Sequence, residues 1–154
     1  MKLSKFFSLD EFVKSQTALR KGIDNTPPDA AIESMRLLCT NVLDKARERF
    51  GPIQVTSGYR SEKLNKAIGG AKTSQHMSGE AADIEATRVD NLVLATWIRD
   101  NCDFDQLILE FYNPKEGPRS GWVHVSYKES GNRKEVLTAA ITSKGKTTYR
   151  PGLG

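Results

Sequence analysis

The stretch Ser74-Gln75-His76-Met77-Ser78-Gly79-Glu80-Ala81-Ala82-Asp83-Ile84-Glu85 decides how this chain is read. His76 falls in a polar loop running from Gly69 to Gly79, where Gly79 permits a sharp turn. Ala81–Ala86 then reads as a strand that carries Asp83. Seven positions and a turn can bring His76 and Asp83 together, and the small Ala81 and Ala82 leave room beside the backbone. A second histidine, His124, lies centrally in Trp122-Val123-His124-Val125-Ser126-Tyr127, also read as a strand. There it shares a face with Trp122 and Ser126, opposite Val123 and Val125. On spacing alone, the histidines read equally well as satisfied polar residues or as metal ligands. As ligands, two imidazoles and one carboxylate make a three-residue zinc set with the fourth position open to water. Zinc would lower that water's pKa toward about 7 and polarise a scissile carbonyl.

The whole 154-residue chain contains only these two histidines, so an imidazole-based site would use both. The length suits one domain over residues 1–154, with 150–154 expected as a loose tail. Charged residues make up 27% and hydrophobic residues 38%, with a mean hydropathy of −0.50, which argues against wholesale disorder. The longest uncharged apolar stretch, Asn91 to Ile98, is far short of the roughly 20 residues a membrane span needs. The formal charge of +4 and pI near 9.1 favour an anionic partner, but the basic residues form no block. Cys39 and Cys102 lack a C-x-x-C arrangement and are expected to stay reduced. Asp10 and Glu11 follow Met1–Phe7 too soon for a signal peptide, so synthesis in a cytoplasm is expected.

Outward from the two histidines, the pattern predicts an α+β fold. Ser8 and Glu11 read as a capping box for a short helix over roughly Leu9–Ser15. Asp24-Asn25-Thr26-Pro27-Pro28 is a turn, and a long amphipathic helix follows over roughly Asp29–Arg49, ended by Gly51-Pro52. Ile53–Thr56 reads as a strand, Ser61–Ile68 as a helix, and Arg88–Asn101 as a second amphipathic helix. Gln106–Tyr112 alternates cleanly, with Leu107, Leu109 and Phe111 on one face and Gln106, Ile108, Glu110 and Tyr112 on the other. Asn113–Gly121 is a loop, and Val136–Ile141 with Thr147–Tyr149 forms a closing hairpin. A small antiparallel sheet carrying the histidines and Asp83, with helices packed on one side, is the expected architecture.

The run S-x-H-x-x-G-x-A-x-D from Ser74 to Asp83, followed by W-x-H at Trp122–His124, resembles the zinc D-Ala-D-Ala carboxypeptidase family. That family includes the D-Ala-D-Ala dipeptidases of vancomycin resistance and the L-alanyl-D-glutamate endopeptidases of bacteriophages. It is related to lysostaphin-type enzymes and hedgehog domains. Ser57-Gly58-Tyr59-Arg60-Ser61 adds to the resemblance. So do Phe7-Ser8-Leu9-Asp10-Glu11-Phe12 and Asp24–Pro28, which look like the small phage and prophage branch. The likeness covers roughly residues 5–128. It implies His76, Asp83 and His124 as ligands of one zinc ion, and the peptide stem of peptidoglycan as substrate. It also makes anionic cell wall a better match for the positive charge than nucleic acid.

One position departs from the family. Many relatives carry the general base three residues before the last histidine, where this chain has Gly121. Glu110 is the best substitute: it points away from the Leu107/Leu109/Phe111 face of an otherwise apolar strand. Asp105 is the reserve. Arg60, after the Ser-Gly turn, is read as a cleft-edge cation for a substrate carboxylate or the oxyanion. Ser74, Gln75, Gln106 and Tyr59 are weaker candidates for substrate binding or for orienting the ligands. Trp122 and Tyr127 read as core aromatics. The expected activity is hydrolysis of a stem or cross-link bond, as carboxypeptidase or endolysin-type endopeptidase. The protein is expected to be monomeric, and to act on the wall after release or from a virion. The rival reading is a non-catalytic zinc-scaffold protein that binds cell wall or builds a virion; the missing carboxylate at Gly121 is its only support. A basic nucleic-acid binder lacks a clustered stripe. A Ser78/His76/Asp83 nucleophile lacks the elbow motif.

Overall fold

The computed structural model describes residues 1–117 and 120–153. Pro118 and Arg119, within the expected 113–121 loop, and Gly154, in the expected tail, lie outside the described residues. The chain runs α1 (Leu9–Val13), α2 (Gln16–Lys21), α3 (Asp29–Leu38), α4 (Asp44–Phe50), β1 (Ile53–Ser57) and α5 (Glu62–Ala67). It continues with β2 (Ala81–Ala86), α6 (Asn91–Asn101), β3 (Gln106–Glu110), β4 (Trp122–Ser126), β5 (Glu135–Ile141) and β6 (Thr147–Pro151). This is the expected α+β class.

The strands form one six-stranded sheet in the order β1-β2-β4-β3-β5-β6. The alternation read from sequence sorts its two faces. Ala82 and Ile84 of β2, Val123 and Val125 of β4, and Leu107 and Leu109 of β3 sink into the main core. There they join Met35 and Leu38 of α3 and Leu94, Ala95 and Ile98 of α6. Truncating one of the large core side chains to Ala costs about 2–5 kcal/mol. The intervening residues Asp83, His124, Ile108 and Glu110 belong to the opposite face. Strands β2, β4 and β3 pair antiparallel, but β5 joins β3 in parallel, so the whole sheet is mixed.

Four local features differ from expectation. Strand β3 ends at Glu110 because Phe111 takes a left-handed φ of 57°, so Phe111 packs on Trp122 and it is Tyr112 that packs on the core. The 29–49 helix is interrupted by a π-helical segment, Cys39–Leu43, whose wider turn buries Cys39, Val42 and Leu43 together. Helix α2 stands where none was expected; Ser15 caps its start and left-handed Gly22 its end, and Leu19 stays exposed, so no apolar stripe marks it. The tail is not loose at its start: Arg150 and Pro151 belong to β6, Gly152 N donates to Val136 O, and Leu153 packs on the core.

The approach to β3 is tied to the approach to β5 through Asp105. Its buried carboxylate accepts from Arg133 N, Nε and Nη2, and from Gln75 Nε2 at 3.0 Å. The Arg133 side chain, foremost, holds the Asp105 carboxyl below the usual range, against the opposing effect of burial. A carboxyl lowered on folding stabilises the fold above its unfolded pKa of about 3.9, and that contribution disappears as pH falls through the lower folded value. Asp105→Asn should therefore cost about 2 kcal/mol in urea denaturation at pH 6. The gap to the parent protein should begin to narrow below about pH 4 and close as pH falls through the lower folded value.

Candidate metal centre

Antiparallel register assembles the site. Asp83 of β2 lies directly across from His124 of β4, and His124 lies across from Ile108 of β3. The Asp83 Oδ1 to His124 Nδ1 distance is 3.0 Å. His76 arrives from outside the sheet, on a single 3-10 turn, Gln75–Ser78. The Ser74 hydroxyl caps that turn by accepting from His76 N, and left-handed Gly79 ends it. A Cβ at Gly79 would overlap the Ala31 carbonyl of α3, so only glycine lets the turn sit this close. His76 Nε2 then lies 3.4 Å from Asp83 Oδ1.

The His76 tautomer follows from its neighbour. Nδ1 is 2.7 Å from the Gly58 carbonyl, which can only accept, so Nδ1 carries a proton and Nε2 is the nitrogen turned toward Asp83 and left for a metal. One donor atom from each of His76, Asp83 and His124 lies within 4.8 Å of the other two. Burial pushes the Asp83 carboxyl up, but hydrogen bonds from His124 and then His76 outweigh it and hold the group well below the usual carboxylate range. Two imidazole nitrogens and one carboxylate oxygen are the donor set of a three-residue zinc site, and the Gly58 carbonyl supplies the outer contact that such histidines use. The residues fit zinc.

A cavity of about 450 Å³ opens on this cluster, and Glu110, Arg60, Ser74, Gln75, Gln106 and Trp122 line it with His76, Asp83 and His124. Glu110 accepts from Trp122 Nε1 at 2.7 Å through Oε2. Burial first, then the Asp83 charge, pushes its carboxyl above the usual Glu value, against His124, Trp122 and Arg60. Trp122 is thus no core aromatic: it walls the cavity and holds Glu110. Tyr127 packs on the core as expected.

Gly121 accounts for the departure from the family pattern. It is left-handed (φ 66°), and a Cβ there would overlap the Glu110 carbonyl oxygen. No carboxylate can stand at 121 while β3 occupies this place, and β3 supplies one at 110 instead. Asn91 secures the turn by donating to the Ser120 and Gly121 carbonyls at 3.0 and 3.2 Å.

The other candidates separate. Arg60 N donates to His76 O at 3.0 Å, its Nη1 donates to Asn65 Oδ1, and its Nη2 is 3.8 Å from Asp83 Oδ2. Gln75 lines the cavity but spends its amide on Asp105, and Gln106 spends its amide on Glu135. Tyr59 is not in this cavity; it is buried and lines a neighbouring one that meets the metal cavity at Arg60. Asp105, the reserve base, is shut away on Arg133. Sequence reading missed Arg133 and Tyr149, which also line the cavity, because nothing local marks them.

A buried His–Asp–His cluster on a sheet, with a carboxylate and an arginine in the same cavity, defines a metallopeptidase type of centre. The chain matches the family model for Peptidase M15 over residues 5–126, and it belongs to that family of zinc-dependent peptidases. No curated protein matches it.

Zinc at a hundredfold its Kd should stabilise the protein by about 2.7 kcal/mol, and EDTA should remove that gain. In His124→Ala the zinc-dependent rise in Tm should vanish, read by differential scanning fluorimetry beside metal analysis. Gly121→Ala should destabilise the fold by about 2–4 kcal/mol, from left-handed strain and overlap with Glu110, read by chemical denaturation.

Proposed function

We propose that this protein is a zinc peptidase that hydrolyses a peptide bond in the peptidoglycan stem or cross-link. The observation that carries the reading is the His76–Asp83–His124 cluster sharing one cavity with Glu110 and Arg60, in a chain of the M15 family. Held by His76, Asp83 and His124, zinc would supply Lewis acidity to a carbonyl and acidity to a water. Glu110 is the general base. Trp122 occupies Oε2, which leaves Oε1 to take a proton from the attacking water and deliver it to the departing amine. A carboxyl raised by burial suits both halves of that transfer. Arg60, steadied by Asn65 and Ser57, offers its guanidinium to the oxyanion or to a substrate carboxylate.

The non-catalytic scaffold reading rested on Gly121. A carboxylate in the cavity on β3 weighs against it, because a pure scaffold has no need to set a half-buried Glu110 beside the cluster. The net charge of +4 suits an anionic wall. We place the action at the cell wall, after release from the cytoplasm or from a virion.

Purified peptidoglycan digested with and without a chelator, with the new termini read by mass spectrometry, tests metal dependence and the bond together. Glu110→Ala should retain zinc and lose about 10²–10⁴-fold in kcat; full activity in that variant sinks the assignment. Trp122→Phe keeps an aromatic ring and removes the N–H. It should lower kcat about 10- to 100-fold while KM and zinc content hold, since one neutral-to-charged hydrogen bond is worth about 1.5–3 kcal/mol.

A further inference from the structure

The family match ends at residue 126, but the sheet continues. Strands β5 and β6 add to it on the far side of β3, and this later segment places Arg133 and Tyr149 in the lining of the metal cavity. From β4, which carries His124, β5 is two strands away and β6 three. At about 4.8 Å per strand this wall stands roughly 10–14 Å from the ligands. That is the reach of about three or four residues of extended peptide.

The chemistry of the wall is specific. Arg133 lays Nε and Nη2 on Asp105 at 3.0 and 2.9 Å, which fixes the plane of its guanidinium. Its side chain remains 54% exposed although its partner is 1% exposed. A guanidinium pinned along one edge and open along another is prepared for a planar carboxylate. Tyr149, 56% exposed on β6, adds an amphipathic ring to the same cavity. Arg60 follows β1 and Arg133 precedes β5, so a cation flanks the β2-β4-β3 site on each side. Two carboxylates already face Arg133: Asp105 accepts from Nε and Nη2, and Glu135 lies 3.7 Å from Nη1 and also accepts from Gln106, which leaves a net negative charge around the guanidinium. A substrate carboxylate must bind against that charge, so the contact confers selectivity more than affinity.

We propose that Arg133 and Tyr149 form a distal subsite that selects an anionic residue of the peptide, about three or four residues from the bond that is cut. The proposal rests on the peptidase reading for the position of that bond, and it concerns a part of the chain that the family match does not reach.

The test compares a peptidoglycan stem peptide bearing free carboxylates with the same peptide fully amidated. Binding is measured by calorimetry to the zinc-loaded Glu110→Gln protein, and hydrolysis separately with the parent. The free-acid peptide should bind about tenfold or more tightly. Arg133→Gln, in the same background, should reduce that preference to about threefold or less, and the remainder belongs to Arg60. Glu135→Gln leaves Asp105 untouched and should widen the preference. Tyr149→Ala should weaken both peptides alike, by about threefold. If Arg133→Gln weakens both peptides equally and preserves their ratio, Arg133 only braces Asp105 and the subsite is overturned. Failure of both peptides to bind overturns it as well. Selective binding without hydrolysis by the parent would remove the peptidase reading and leave the subsite; hydrolysis without selectivity would do the reverse.

Discussion

Asp83 faces His124 across the antiparallel β2–β4 pair, and the centre exists only in that register. Side chains alternate along a strand, so a slip of one residue in β2 would turn Asp83 into the helical core and set Ile84 against the imidazole. The register is held from the other face of the sheet. Ala82, Ile84, Val123 and Val125 are buried against the helices, and they stay buried in only one alignment. Hydrophobic burial, which is not directional, thus fixes a polar geometry to within a hydrogen-bond length.

The electrostatics of the centre follow from the same placement. A carboxylate as buried as Asp83 needs compensating donors or a cation. Arg60 is too far for a close pair at 3.8 Å and is already engaged with Asn65 and Ser57. The two imidazoles stand closest, and His76 is not free to rotate because the Gly58 carbonyl holds its far side. Such a group of donors is costly to build from a buried anion and neutral rings alone. A dication satisfies all three at once, which is why a donor set of this kind belongs to metal binding more than to fold stability.

What could be read in advance, and what could not, divides by range. Strands β2, β3 and β4 were legible because a half-buried strand writes a two-residue alternation into its own sequence. The His76–Asp83 turn was legible because glycine at 79 and alanines at 81 and 82 are local requirements. The parallel pairing of β5 with β3 was not, since it depends on partners far apart in the chain. Helix α2 is too short and too exposed to carry a stripe, and the π turn at Cys39–Leu43 replaces a periodicity that looked continuous. Tyr59 follows a turn that reaches the site through its neighbour Arg60, while Tyr59 itself is buried with the core and lines another cavity. Trp122 shares a strand face with His124, so its place in the cavity was implied by alternation; its indole N–H partner lay on a different strand and was not.

Gly121 is where local and long-range reasoning meet. Read alone, glycine at the position of the expected base looks like loss of catalysis. In the fold it is the condition for another arrangement. The β3 backbone packs against Gly121 where a side chain would stand, and the same approach pairs Glu110 with Trp122 across the strands. A side chain at 121, on the segment before His124, and the present course of β3 therefore compete for one volume. A chain that keeps β3 close must give up the first, and it gains a carboxylate whose second oxygen is already held by an indole from the strand of His124. The absence at 121 and the presence at 110 are two consequences of one packing decision.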